Sequence, residues 1–181
     1  MSIVIDPAVS SLLGLGGAAL LGCAGIHKLR SREAFVATLA EYRLVPQALV
    51  GFTALVLALV ELATAAALLW PGTRVFGGVA GAALLVIYAT AIAVNLARGR
   101  KDLDCGCGLQ PRAIGGWMVA RNLIVAALLG LLWLPTSSRA LGSADFATIA
   151  GTLLIGALLY ASIELLLGRG MPRDLFPAER S

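Results

Sequence analysis

Two cysteines separated by a single glycine, Cys105-Gly106-Cys107, are the residues of this chain whose spacing most directly suggests chemistry. A one-residue spacer holds two Cα atoms roughly 5.5–7 Å apart, the upper edge of what a disulfide tolerates. Gly106 between the cysteines and Gly108 after them permit the backbone distortion that so small a ring demands. Strained, exposed disulfides are the exchangeable ones, whereas structural disulfides resist reduction. The pair is therefore read first as a reversible thiol–disulfide couple. Two other readings stay open. In one, the pair ligates a metal, although only Cys23 and His27 remain as further soft ligands and a closed zinc site needs four. In the other, the thiols are inert or staple one loop. A haem is disfavoured, because His27 is the only histidine and no C-x-x-C-H attachment is present. Arg98, Arg100, Lys101 and Arg112 favour a thiolate here, while Asp102 and Asp104 oppose it, so the sequence alone leaves the balance unsigned.

Cys23 and His27 stand four residues apart and so share a helix face. They lie at the end of the first apolar stretch, on the same side of a membrane as the Cys105–Cys107 loop. Cys23 is accordingly a candidate resolving thiol and His27 a candidate proton acceptor. The plainer alternatives are a small residue in an apolar helix and a polar side chain at the interface. Leu20-Leu21-Gly22-Cys23 resembles a lipoprotein cleavage box, but no basic residue precedes Lys28 and Asp6 is acidic, so Cys23 is read as a helix residue.

Three charges fall inside apolar stretches: Glu61, Arg121 and Glu164. An unpaired charge at such depth costs at least about 2.5–3.5 kcal/mol, so each should face a bundle interior and find a partner. Arg121 matches Glu164 in depth better than Glu61, though its length reaches either, and Glu61 protonated is the other solution. Ion pairing and a proton- or quinone-linked role are both open for this set. Asn95 and Asn122 add polar groups able to bond across helices.

The elements that carry these residues follow from composition. Of 181 residues, 59% are hydrophobic and 13% charged, with a mean hydropathy of +0.91. A soluble domain carries about 25% charged residues, so a soluble enzyme, a nucleic-acid binder and a disulfide-stapled secreted domain are excluded. Five stretches are long enough to span about 30 Å of hydrocarbon: Val9–Ile26, Leu49–Trp70, Val75–Ala97, Gly115–Leu134 and Phe146–Leu167. Each must be helical, because lipid offers backbone groups no partner. Pro71-Gly72-Thr73-Arg74 makes a tight hairpin between the second and third, Pro135 ends the fourth, and Pro172 and Pro177 mark an irregular tail. The small residues Gly77 and Gly81 are spaced for close helix packing within one bundle.

Basic residues alternate between the two sides. Lys28, Arg30, Arg32, Arg43, Arg98, Arg100, Lys101, Arg112, Arg169, Arg173 and Arg180 fall on one side, and only Arg74 and Arg139 on the other. The rule that cytoplasmic loops are basic then predicts an outside N-terminus, with the loop between the first two spans, loop 98–114 and the C-terminal tail in the cytoplasm.

In order and spacing, His27-Lys28, Glu61-Leu62, Arg98-Gly99-Arg100, Asp104-Cys105-Gly106-Cys107-Gly108 and Arg121-Asn122 make the chain resemble the MauE family, methylamine-utilisation membrane proteins of a broader DoxX-like group. The resemblance spans roughly residues 20–135 and departs at Leu109, where glycine-aromatic character is expected. It implies a membrane factor that helps mature a disulfide-rich extracytoplasmic protein beside a thioredoxin-like partner, passing redox equivalents through its cysteine pair. This conflicts with the charge bias, which puts the pair on the cytoplasmic side. A re-entrant loop, an exception to the charge rule or an inward-to-outward relay would each reconcile them.

The resulting expectation is an all-α membrane bundle of five transmembrane helices. Residues 1–135 form a four-helix core, 136–168 an additional helix and 169–181 a polar tail. The expected function is thiol–disulfide redox work by Cys105 and Cys107, supported by Cys23 and His27, with a thioredoxin-like or quinone partner. Glu61, Arg121, Asn122 and Glu164 are the intramembrane polar set. The alternative is a non-catalytic accessory or assembly subunit of a larger membrane complex, and membrane redox complex subunits are candidate partners.

Overall fold

The computed structural model describes residues 4–100, 103 and 114–168, with side chains in the last helix described as far as Ser162 apart from Tyr160. Six helices follow one another: α1 (Pro7–Arg30), α2 (Arg32–Tyr42), α3 (Val50–Leu69), α4 (Arg74–Ala97), α5 (Gly116–Gly130) and α6 (Ser143–Gly168). Short 3-10 turns at Gln47–Leu49 and Leu131–Trp133 lead into α3 and out of α5. The helices Pro7–Arg30, Gln47–Leu69, Arg74–Ala97 and Gly116–Trp133 are long and apolar enough to cross a membrane, and α6 is a further apolar helix. The all-α expectation holds, and every expected span agrees with its helix to within four residues at each end.

The helices pack in sequence order, α1 along α3, α3 against α4 and α4 against α5, while α6 leans on α1. Ala18, Leu21, Ala65, Leu68, Leu85, Ala126, Leu129 and Leu132 form the main core. Large apolar residues such as Phe52, Phe76, Ile87 and Ile124 point outward, as a lipid-facing surface requires. Lipid is as apolar as leucine, so burial alone does not hold such helices together; close approach of backbones does. A Cβ added to Gly77 would lie 2.8 Å from the Leu68 nitrogen, and one on Gly78 would lie 2.8 Å from the Leu129 carbonyl oxygen. Gly81 likewise faces Leu129 and Leu21, so this small-residue stripe is used within the chain.

One segment differs from expectation. Residues between the first two spans, read as a basic loop, contain helix α2. Its apolar stripe Phe35, Leu39 and Tyr42 recurs at helical spacing and turns toward the bundle, with Tyr42 buried. A single residue, Ser31, joins α1 to α2, and Arg43 ends α2 in the left-handed region at φ 50.

The opposite end is tied by polar contacts. Asp6 caps α1, accepting from the Ala8 nitrogen at 2.8 Å, with Pro7 in the first turn. Arg139 bridges Asp6 at 2.9 Å and Asp145 at 2.7 Å. Beside this clasp, the Ile5 nitrogen donates to the Pro135 oxygen and the Ser137 nitrogen to the Ile5 oxygen, both at 2.9 Å. Hydrogen bonds from Arg139 hold the Asp145 carboxyl at about 2 and draw Asp6 below its ordinary value. Both carboxyls bind protons more tightly in the unfolded chain, so the clasp contributes fully above about pH 4. That contribution is lost as pH falls toward about 2. Melting curves in detergent should show a stability loss across this window that Arg139→Gln flattens.

Candidate functional site

Glu61 has a partner that its position in the sequence does not announce. The Lys28 ammonium donates to Glu61 Oε1 at 2.5 Å, with side-chain exposures of 2% for Lys28 and 0% for Glu61. Backbone geometry explains why Lys28 points inward instead of reaching for the nearer interface. Helical Cα–Cβ bonds tilt toward the N-terminus. Lys28, near the C-terminal end of α1, is therefore directed into the bilayer. Glu61, midway along the antiparallel α3, is directed back toward the end where Lys28 lies. The two side chains converge, and each neutralises a charge that hydrocarbon would penalise.

Aromatic residues complete the surroundings. The Lys28 ammonium lies 5.2 Å from the centroid of the Phe35 ring on α2 and 4.9 Å from that of Tyr88 on α4. Both distances are suited to cation–π attraction. The Tyr88 hydroxyl donates to the same Glu61 Oε1 at 2.7 Å. Glu61 Oε2 is buried and accepts no hydrogen bond among the described residues. Beside the ammonium is a cavity of about 50 Å³, whose wall includes Lys28, Phe35, Thr38, Tyr42, Tyr88 and Ile92.

The same end of the bundle carries both stems of the cysteine segment. The Ile114 nitrogen donates to the Leu103 oxygen at 2.9 Å, closing the neck of the chain between them. Leu103 and Ile114 are buried with Tyr42, Ile92 and Met118 in a second apolar cluster. Tyr42 and Ile92 therefore belong both to this cluster and to the cavity wall. The chain reaches the neck through Gly99, whose φ of +74 suits a glycine. The Gly99 nitrogen donates to the Leu96 oxygen and the Arg100 nitrogen to the Asn95 oxygen, each at 3.0 Å, which is the Schellman way of closing a helix. The Arg100 side chain then donates to Asn95 Oδ1 at 3.2 Å, and Asn95 Nδ2 donates to the Ala91 oxygen at 3.1 Å.

The structure sorts the sequence-derived candidates as follows. Cys105 and Cys107 lie outside the described residues, as does the Glu164 side chain. Cys23 and His27 share a face of α1, as their spacing implies. That face is turned away from the packed stripe of Gly14, Gly17, Leu21, Gly25 and Lys28, leaving Cys23 exposed and His27 half-buried. Glu61 is paired with Lys28, a partner the sequence does not single out, and Arg121, matched in depth to Glu164, is half-buried on α5. Asn122 is buried, and its Nδ2 has no partner among the described residues. Among those residues, no cluster of three or more His, Cys, Asp or Glu could hold a metal.

Sequence reasoning missed Lys28, Phe35 and Tyr88 as members of the site. Lys28 stands among the basic residues of one side in the sequence; without it the charge bias keeps the same sign. A signal was available: Lys28 falls on the stripe that continues Gly14, Gly17, Leu21 and Gly25 at helical spacing.

No solved structure matches the chain. The family model described as methylamine utilisation protein MauE matches residues 6–135. The chain is 36% identical to the methylamine utilization protein MauE of Methylophilus methylotrophus, over 92% of this chain and 90% of that one. The corresponding figures for the protein of Paracoccus denitrificans are 37% identity, 91% and 90%. For that of Paracoccus versutus they are 41% identity, 83% and 83%. Matches covering more than nine-tenths of the chain necessarily run past residue 135, into the region after the four-helix core. With four helices suited to crossing a bilayer and a family match over most of its length, the chain belongs to the MauE family of membrane proteins.

Proposed function

We propose that this protein is a thiol–disulfide redox factor of methylamine utilisation, in which Cys105 and Cys107 open and close their mutual bond. In doing so it would support maturation of an extracytoplasmic or membrane redox protein through a thioredoxin-like partner. The relatives' names supply the physiological setting. The observation that carries the reading is the closed neck. Leu103 and Ile114 pin both ends of the cysteine segment onto a packed cluster, giving it a fixed base. A redox loop gains from such a base, because exchange requires three sulfurs in line and loose anchoring costs orientation. One residue, Asp104, separates Cys105 from Leu103.

Alkylation of intact cells with a membrane-impermeant thiol reagent, with and without prior reduction, tests this directly. The expected result is a mixed population of Cys105 and Cys107, part thiol and part disulfide, whose ratio shifts when methylamine induces the pathway. The labelled side also fixes which face carries the pair. A population locked in one state under every growth condition overturns the proposal and leaves the accessory-subunit reading.

A further inference from the structure

We propose that a groove on the flank of α2 binds the head group of phosphatidylethanolamine, a zwitterionic phospholipid with a primary ammonium, through Arg32 and Glu33. The inference is independent of the thiol–disulfide reading, since no cysteine takes part. Depth in the bilayer comes first. Two membrane crossings bound α2: Ser31 alone parts it from the end of α1, and the next crossing helix begins at Gln47. Phe35 against the Lys28 ammonium and buried Tyr42 beside Ile92 hold it to the bundle at both ends. The helix thus lies across the bundle at the level of the head groups, the setting of an amphipathic interfacial helix.

Beside the stripe that meets the bundle, the next flank of α2 carries an open groove of about 440 Å³ lined by Arg32, Glu33, Val36, Ala37, Ala40 and Gln47. That volume falls within the roughly 300–1,000 Å³ of small-ligand sites. Arg32 and Glu33 stand at one end, and Val36, Ala37 and Ala40 follow on the next two turns as an apolar floor. Both charged side chains are exposed, and among the described residues neither is engaged in a hydrogen bond or an ion pair. Consecutive helical residues do not face each other, so the two charges are left for an outside partner.

The chemistry of the lining selects the occupant. A guanidinium matches a phosphate with two parallel N–H donors, and a carboxylate accepts from an ammonium. Phosphatidylethanolamine presents a phosphodiester and, a short ethylene link away, an ammonium, which is the charge order that Arg32 and Glu33 complement. An anionic head group such as phosphatidylglycerol would set a negative charge near Glu33 with no cation to answer it. Phosphatidylcholine carries the positive charge but no N–H for the carboxylate to accept. Leu49 and Phe52, exposed on the turns that follow Gln47, continue the apolar surface toward the hydrocarbon that holds the acyl chains.

Native mass spectrometry of the full chain tests this, with the protein delipidated in detergent and titrated with phosphatidylethanolamine, phosphatidylcholine and phosphatidylglycerol of identical acyl chains. The parent should retain one phosphatidylethanolamine about tenfold more tightly than either other lipid, the worth of a single charge-assisted hydrogen bond. Arg32→Gln and Glu33→Gln, both at exposed positions, should melt like the parent and each remove that preference. Ala40→Phe, which fills the floor and leaves both charges in place, should weaken phosphatidylethanolamine binding as well. Equal binding of all three lipids by the parent overturns the inference, and is also the result expected if the groove seats a protein instead. A preference for phosphatidylethanolamine that survives all three variants overturns it too, by placing the lipid elsewhere. So does a preference for phosphatidylglycerol that Glu33→Gln strengthens, which would mark only a general attraction to the basic end of the bundle.

Discussion

Lys28→Ala, made alone, is expected to destabilise the folded bundle by about 3–5 kcal/mol, the range seen when one partner of a buried ion pair is removed. The reason is what remains. Glu61, with no exposed side-chain surface, would keep a carboxylate whose one other hydrogen bond among the described residues comes from Tyr88. It must then either stay charged in a dry site or take up a proton. Glu61→Ala strands the Lys28 ammonium in the same way, leaving it against the Phe35 and Tyr88 rings. The double variant Lys28→Met with Glu61→Leu should recover most of the loss, because removing both charges also removes their desolvation cost. Unfolding titrations in mixed micelles measure all three. Single-variant losses below about 1 kcal/mol, the range of exposed pairs, would show that the pair is solvated.

Cys107→Ser is expected to reduce maturation of the dependent redox protein to background while membrane abundance and melting temperature stay at the parent level. A single remaining sulfur can still attack a partner's disulfide, but nothing resolves the mixed disulfide that results. One of Cys105→Ser and Cys107→Ser should therefore accumulate a covalent adduct with its partner, visible as a reducible band on a non-reducing gel; the other should not. The asymmetry identifies the attacking sulfur. Wild-type maturation in both serine variants would remove the cysteines from the mechanism, whereas loss of the protein itself would assign them a structural task.

The bundle was legible in the sequence because continuous apolar runs have one solution in lipid, and proline and glycine punctuate them. Helix α2 was not, because its eleven residues are too few to span and its stripe of Phe35, Leu39 and Tyr42 sits among basic residues. The need for a partner at Glu61 was legible from the cost of a lone charge; which partner was not. Depth along the chain matches Arg121 to Glu164 better than to Glu61 and says nothing of Lys28, but a lysine side chain reaches several ångströms, and the Cβ tilt of α1 aims this one inward. Cys23 and His27 illustrate the opposite case. Their shared face was correctly derived from spacing, yet spacing alone cannot say whether a face meets protein or lipid. Burial along the whole stripe decides that.

The Arg139 clasp joins residues 133 positions apart, with Asp6 ahead of α1 and Asp145 in the first turn of α6. During synthesis Asp6 emerges first, and Arg139 follows only after five helices, α1 to α5, have been made. The clasp therefore closes late, once the leading end of α6 has reached the same side of the bilayer as the start of α1. A nascent chain stalled before that point would leave the cap of α1 without its arginine, so the contact distinguishes finished insertion from unfinished.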